Sequence, residues 1–308
     1  MTAPSGEQFE IVASGYRAVV TECGAGLRVL EHEGRAVVDG YTEDQMATGG
    51  RGQLLAPWPN RVRDGAYSFG GHDLQLGLTE SERHNAIHGL VRWAAWTAEE
   101  HTDTSVSLGY RLMAQSGYPW TLDLHVVYDL SADGLTVTQT ATNLSAEVAP
   151  YASGAHPSLP AGDGPVDGWE LTLPASLRLV ADERKLPVGE EQVDGTAYDF
   201  RMARPLRDTV LDDAFGDLVR ADDGSVTVEV LDPGTGRGAA LWADRHHPWL
   251  MVYTADDQPG GASRRSLAVE PMTAPPDAFR SGHDLVTLAA AGEPGDQVSV
   301  SWGIRALH

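Results

Sequence analysis

The chain has 308 residues, is 42% hydrophobic, and carries 44 acidic against 22 basic side chains, a formal charge of −22. That excess argues against nucleic acid and anionic membrane surfaces, which both need a basic face, and it suits a neutral or weakly charged ligand. Length allows one large domain or two ordinary ones, but no linker or change of composition divides the chain, so a single domain over residues 1–308 is expected.

The N-terminal residues 1–7 lack a basic region followed by an apolar stretch, and no run of about 18 apolar residues follows anywhere. A cytoplasmic protein with no signal peptide, no membrane span and no membrane partner is expected. Residues 16–21 alternate apolar and polar, as a half-buried strand does. Cys23 is the only cysteine, so no intramolecular disulfide and no cysteine-based metal site is expected.

Residues 57–90 form the most distinctive segment. Pro59-Asn60-Arg61-Val62 is followed by Gly65-Ala66-Tyr67-Ser68-Phe69-Gly70-Gly71 and then by His84-Asn85-Ala86-Ile87-His88-Gly89. Polar hydrogen-bonding groups at strand ends are what a sugar pocket needs. His84 and His88 are four apart, but the helical flanks of a His-x-x-x-His metal site are missing, so no metal is expected and His84 reads as a structural or rim residue. Asp64-Gly65 and Gly70-Gly71 mark turns.

Alternation returns at residues 105–112, 122–128 and 135–140, with a turn at Ala132-Asp133-Gly134. His156 follows in a small-residue setting, Ser153-Gly154-Ala155-His156-Pro157, where partial desolvation would hold its pKa near or below the usual 6.5 or so. Residues 170–173 alternate again. Lys185 is the only lysine beside 21 arginines, which matches a compositional bias. Asp212 and Asp213 are adjacent in a strand-like stretch, so they face opposite sides and at most one enters a pocket. Residues 225–230 and 297–302 alternate too, with turns at Asp222-Asp223-Gly224 and Asp232-Pro233-Gly234. Between them Glu270 closes an apolar run, Leu267-Ala268-Val269-Glu270-Pro271. A buried carboxylate is costly unless used or paired, and burial would bring its pKa into the range of a general acid or base. Arg264 and Arg265 are its nearest ion-pair candidates in sequence. No stretch of 12 residues has helical periodicity. Many short strands punctuated by turns predict an all-β fold, a large antiparallel β-sandwich.

Phosphate loops, dinucleotide-binding glycine patterns and a serine nucleophile elbow are absent, so no nucleotide and no cofactor is expected. Taken together, Asn60-Arg61, Asn85-Ala86-Ile87-His88-Gly89, Gly117-Tyr118-Pro119, Thr142-Asn143 with His156-Pro157, Leu211-Asp212-Asp213-Ala214-Phe215, and Glu270-Pro271 with Pro276-Asp277-Ala278 resemble the aldose 1-epimerase (galactose mutarotase) family. The motifs run in order along nearly the whole chain. The resemblance implies a supersandwich fold with a sugar groove, Glu270 as catalytic base and His156 as catalytic acid. It also implies Asn60, Arg61, His88 and Asp212 as substrate-binding residues. The reaction so implied interconverts the anomers of a free aldohexose, in a monomer or homodimer, with a small-molecule sugar as the partner.

The sequence departs from the family pattern at Leu90, at Ser158-Leu159 and at Asp213, which are expected at the pocket edge and so bear on substrate choice. Three other functions compete. A hexose-phosphate 1-epimerase of the same superfamily would need a basic cluster, which Arg83, Arg92 or Arg264-Arg265 could supply. A non-catalytic carbohydrate-binding protein would need stacking aromatics, for which Trp58 and Trp302 are candidates, although core packing is the expected use of both. A glycosidase would use Asp212 and Glu270 as its carboxylate pair.

Overall fold

The computed structural model describes residues 2–256 and 263–308. Two large antiparallel sheets dominate. The nine-stranded sheet runs in the order Thr97–His101, Ser105–Leu112, Leu122–Ser131, Gly134–Asn143, Gln297–Leu307, Arg237–Ala243, Val226–Asp232, Glu170–Thr172 and Arg204–Pro205. The eight-stranded sheet runs Pro187–Gln192, Ala175–Ala181, Asp212–Leu218, Trp249–Tyr253, Leu267–Met272, Gly154–Ala155 and Leu54–Leu55, with Ser158–Leu159 also paired to Leu267–Met272. A four-stranded sheet of the N-terminal residues and three two-stranded ribbons complete the strands, and the one α-helix among the described residues is the four-residue Ala278–Ser281.

The alternation read from sequence builds these sheets. In Leu122–Ser131 the residues Leu122, Leu124, Val126, Tyr128 and Leu130 are buried while those between them are partly or fully exposed. One hydrophobic cluster takes Val137, Trp302, Ile304, Leu241 and Val228 from the nine-stranded sheet and Phe215, Leu250, Val252, Leu267 and Val269 from the eight-stranded one. Burying each such side chain is worth about 1.5 to 3 kcal/mol. The fold is therefore the expected all-β sandwich.

Period two also decides what faces away from this core. Leu250 and Val252 enter it, so Trp249 and Met251 point to the opposite face, where they pack with Leu177, Leu179, Ala214 and Met272. Glu270 sits between Val269 and Pro271 on Leu267–Met272 and lies directly opposite Met251. It belongs to this second face, as does Asp212, two residues before Ala214.

Asp64-Gly65 makes the expected turn, although the strand before it, Arg61–Arg63, pairs with Asn85–Ile87 and not with the strand that follows. Gly70-Gly71 makes the hairpin, joining Ala66–Phe69 to His72–Gln75 with both glycines at positive φ. Trp58 and Trp302 are 3% and 1% exposed, which makes them core side chains and unavailable as stacking platforms.

Candidate active site

The second face of the eight-stranded sheet forms the floor of a cavity of about 310 Å³. Asn60, Arg61, His88, His156, Asp212 and Glu270 all line it, together with Gly50, Glu80, Arg83, Arg92, Trp93 and Tyr253. A wider depression of about 640 Å³ lies elsewhere, lined by Asp133, Asp223, Trp242, Asp244 and Arg305 among others. Its Asp244 is occupied as an acceptor for His247 and for the backbone N–H groups of His246 and Ser301. The smaller cavity is the one with a buried acid–base pair.

That pair is His156 and Glu270. Nε2 of His156 stands 3.2 Å from Oε1 of Glu270, and both side chains are almost fully buried. Burial pushes His156 down to about 4, with the nearby cations Arg92 and Arg61 acting the same way and Asp212 opposing them. Burial also pushes Glu270 well above the usual carboxylate range, helped by the negative charge of Asp212 and opposed by Arg61. The two titrate as a unit, and burial shifts them in opposite directions, each toward its neutral form. Arg264 plays no part here, since it pairs with Asp167 and Asp256. Arg265 lines a separate depression.

His156 is held by backbone and by a glycine. Its N–H donates to the Gln53 carbonyl and its own carbonyl accepts from Gly52 N–H, at 3.0 and 2.8 Å. Gly50, at φ +79°, lies against the imidazole, and a Cβ there would come within 2.7 Å of Cδ2. Gly50→Ala is therefore expected to displace the ring and lower kcat about 10- to 100-fold with a small change in melting temperature, since misplacement by about 1 Å can cost that much. Steady-state kinetics beside a thermal melt checks it.

His88 and Asn60 clamp each other. His88 N–H donates to the Asn60 carbonyl at 2.8 Å, and Asn60 N–H donates to Nδ1 of His88 at 3.2 Å. Nδ1 is thus an acceptor, which places the proton of the neutral ring on Nε2. Burial and the neighbouring His156, Arg92 and Arg61 hold His88 well below its ordinary pKa, so it stays neutral. Its ring meets that of His156 edge to face, 5.6 Å between centroids. Both Asn60 and His88 have left-handed φ, 52° and 61°. Gly89 follows at φ +70°, where a Cβ would strike the Ala56 carbonyl at 2.0 Å, so the His-Gly pair at 88–89 is a packing requirement. The Oδ1 of Asn60 accepts from Arg61 N–H at 3.0 Å, so this side chain orders the strand entry as well as lining the cavity.

Arg61 is fixed from behind. Its Nε and one terminal nitrogen donate to the two carboxylate oxygens of Glu80 at 2.8 and 2.9 Å, a bidentate pair with both side chains buried. Glu80 also accepts from Arg83 and from Nδ2 of Asn85, each at 3.0 Å, and these donors hold it below its ordinary pKa although burial alone would raise it. Glu80 was not singled out from sequence, because an acid among Thr79, Ser81 and Glu82 looks like any exposed loop.

Asp212 enters the cavity and Asp213 does not. Asp213 turns to the other side of the sheet and pairs with Arg178 at 2.7 Å, so its departure from the family pattern is away from the pocket. Leu90 packs against the main core. Ser158 is buried and lines a separate void of about 30 Å³ behind His156. Asp212 itself accepts from Nζ of Lys185 at 2.8 Å, a contact that composition gave no reason to expect. His84 lies outside the cavity, exposed, with Nδ1 3.0 Å from Asp64. Trp93, 49% exposed, and Tyr253 are aromatic side chains that line the cavity wall.

The fold and the sequence coincide with one family. The chain belongs to the aldose 1-epimerase family, whose model matches residues 7–299. Among its relatives, the Escherichia coli protein YihR, described as uncharacterized, is 34% identical over 291 residues, covering 94% of this chain and 91% of YihR. The E. coli aldose 1-epimerase is 24% identical over 208 residues, 66% of this chain and 60% of that one. In fold, the chain is similar to a putative aldose 1-epimerase of E. coli, with TM-score 0.82, 22% identity, and coverage of 97% and 98% of the two chains. It is also similar to a Caenorhabditis elegans GalM/aldose epimerase homologue, with TM-score 0.85, 18% identity, and coverage of 98% and 99%. No helix among the described residues is long and apolar enough to cross a membrane.

Proposed function

We propose that the protein is an aldose 1-epimerase that interconverts the α and β anomers of a free aldohexose. The observation that carries this reading is the buried His156–Glu270 pair, 3.2 Å apart on the floor of a polar cavity. In the reaction Glu270 takes the proton of the C1 hydroxyl while His156 gives a proton to the ring oxygen. The C1–ring-oxygen bond breaks, C1 becomes an aldehyde, and the freed hydroxyl keeps the proton. Rotation about C1–C2 and closure on the other face returns both protons. The opposite shifts favour the single proton on Glu270 at rest, so it passes to His156 across their 3.2 Å contact before the step; the pair then takes one proton and gives one, and its proton count is unchanged. Arg61, with its carboxylate-paired edge turned to Glu80, offers its remaining N–H groups to sugar hydroxyls. Nε2–H of His88 is a second donor, and Asp212 an acceptor. Direct His156–Glu270 contact opens when the sugar takes its place between them.

The proton count predicts a pH profile. Activity falls at low pH when the pair gains a second proton and at high pH when it loses its only one. With His156 pushed down to about 4 and Glu270 pushed well up by burial, kcat/KM is expected to follow a broad bell. Its acid limb lies below the ordinary histidine value and its alkaline limb above the ordinary carboxylate range. Anomer-exchange rates measured from pH 4 to 10 check this. A single limb near pH 6.5 would contradict it.

One observation favours a second reading, a sugar bearing an anionic group such as a hexose phosphate. Arg92 is half-buried at the cavity wall, lowered in pKa by burial, and has no carboxylate partner among the described residues. Arg83, by contrast, is already paired with Glu80. Comparing a free hexose with its 6-phosphate, in wild type and Arg92→Ala, separates the two readings. The glycosidase reading loses support, since Asp212 is paired with Lys185 and Glu270 faces an imidazole. A binding module without catalysis would keep sugar affinity and show no anomer exchange in wild type.

A further inference from the structure

Lys185 is the chain's only lysine, and its ammonium is 2.8 Å from Oδ2 of Asp212, the acceptor on the cavity floor. The turn that delivers it, between Ala175–Ala181 and Pro187–Gln192, is fastened from several sides. The Asp182 carboxylate accepts from the N–H groups of Arg184 and Leu186 at 2.9 and 3.0 Å, and Lys185 N–H donates to the Asp182 carbonyl at 2.9 Å. Arg184 reaches across to Asp64 at 2.8 Å and to the carbonyls of Arg83 and His84, while Asn85 donates back to the Arg184 carbonyl. The turn is thereby tied to the same loop that carries Glu80. Lys185 holds a left-handed φ of 61°, a conformation that costs a non-glycine residue energy and persists where surroundings enforce it. A surface lysine in a bare hairpin turn would need none of this.

We propose that Lys185 is a positioning residue of the pocket: it fixes the Asp212 carboxylate and sets how much of that charge the His156–Glu270 pair feels. Asp212 is well placed for such an effect, since its charge acts on Glu270, His156 and Arg61 together. The groups facing the pair are Asp212, Arg61, Arg92 and His88, and those facing Asp212 are Lys185, Arg61, His156 and Glu270, with Tyr253 opposite in register. Among the described residues, Lys185 is the one cation ion-paired with Asp212. Without it, an unscreened Asp212 makes both members of the pair hold protons more tightly. The inference rests on the epimerase reading above.

The test uses Lys185→Met, Lys185→Arg, Asp212→Asn and the double variant Lys185→Met/Asp212→Asn. For Lys185→Met, both limbs of the kcat/KM profile are expected to move to higher pH by at least ~0.3 unit, the scale that one partly buried charge allows. KM is expected to rise about 3- to 10-fold, the worth of one positioned hydrogen bond. Lys185→Arg should restore both, and the double variant should lose the upward shift because no charge remains to unscreen. Unmoved limbs overturn the proposal, as does a uniform fall in kcat that tracks only a lower melting temperature. A second readout needs no catalysis. Reductive ¹³C-methylation marks Lys185 as the sole side-chain amine, so its methyl NMR signal should shift in Asp212→Asn and again on titration with glucose or galactose. A signal indifferent to Asp212→Asn overturns the proposal. If wild type binds sugar with that signal shift but never accelerates anomer exchange, the epimerase reading fails while the Lys185–Asp212 contact stands.

Discussion

Glu270→Gln is expected to lower kcat about 10²- to 10⁴-fold, the usual worth of one positioned acid–base group, while making the protein more stable. The activity loss follows because Gln cannot take the C1 hydroxyl proton. His156→Asn should cost about as much, and the double variant little more, since the two residues work on one proton and act as a unit. The gain in stability follows from burial. The folded-state pKa of Glu270 lies above its ordinary 4.5, so folding stability is fully present below that value and is lost as pH rises toward the folded-state pKa. A glutamine of the same shape has no charge to desolvate. The melting temperature of Glu270→Gln should therefore exceed that of wild type at pH 8 and approach it at pH 4. Calorimetry at the two pH values, beside anomer-exchange kinetics, checks both halves. A variant less stable at pH 8, or active within a few-fold of wild type, would refute the assignment.

The second large effect is expected at the bidentate Arg61–Glu80 pair. Removing one partner of a buried ion pair leaves the other charge uncompensated, at a cost of about 3 to 5 kcal/mol. Glu80→Ala strands the buried Arg61 and also frees Nδ2 of Asn85, so a loss of that order in urea-unfolding free energy is expected. Arg61→Lys keeps the charge but loses the planar fork. It should fold, with KM raised more than kcat is lowered, because a lysine cannot bond Glu80 through two edges and still present ordered donors to the sugar. A KM unchanged in Arg61→Lys would remove Arg61 from the substrate contacts.

The legible part of the fold was its period. Alternation at 122–128 and 135–140 became the central strands Leu122–Ser131 and Gly134–Asn143 because every second side chain enters one core. The same rule puts Asp212 and Asp213 on opposite sides of their strand, and Asp212 is the one at the cavity. Glu270 and His156 stood out because a carboxylate in an apolar run and a histidine among small residues are costly unless something uses them. What was not legible depends on contacts between distant segments. Glu80 lies in a loop of exposed polar residues, and only pairing with Arg61, 19 positions away, makes it part of the site. Lys185 looked like compositional residue, and its meaning lies in Asp212, reached through a turn tied to the Glu80 loop. Core packing is the expected use of Trp58 and Trp302 and both are buried, but nothing in the sequence marks Trp93 as the tryptophan left at the cavity wall.

The central claim is that the His156–Glu270 pair opens and closes an aldohexose ring. Two-dimensional exchange NMR of glucose and galactose at anomeric equilibrium, with wild type and Glu270→Gln at equal concentration, tests it most directly. The account predicts α–β exchange far faster than in buffer for at least one sugar with wild type, falling by at least about 10²-fold in the variant. Exchange no faster than buffer across a panel of free and phosphorylated aldoses, or equal exchange with Glu270→Gln, would contradict it.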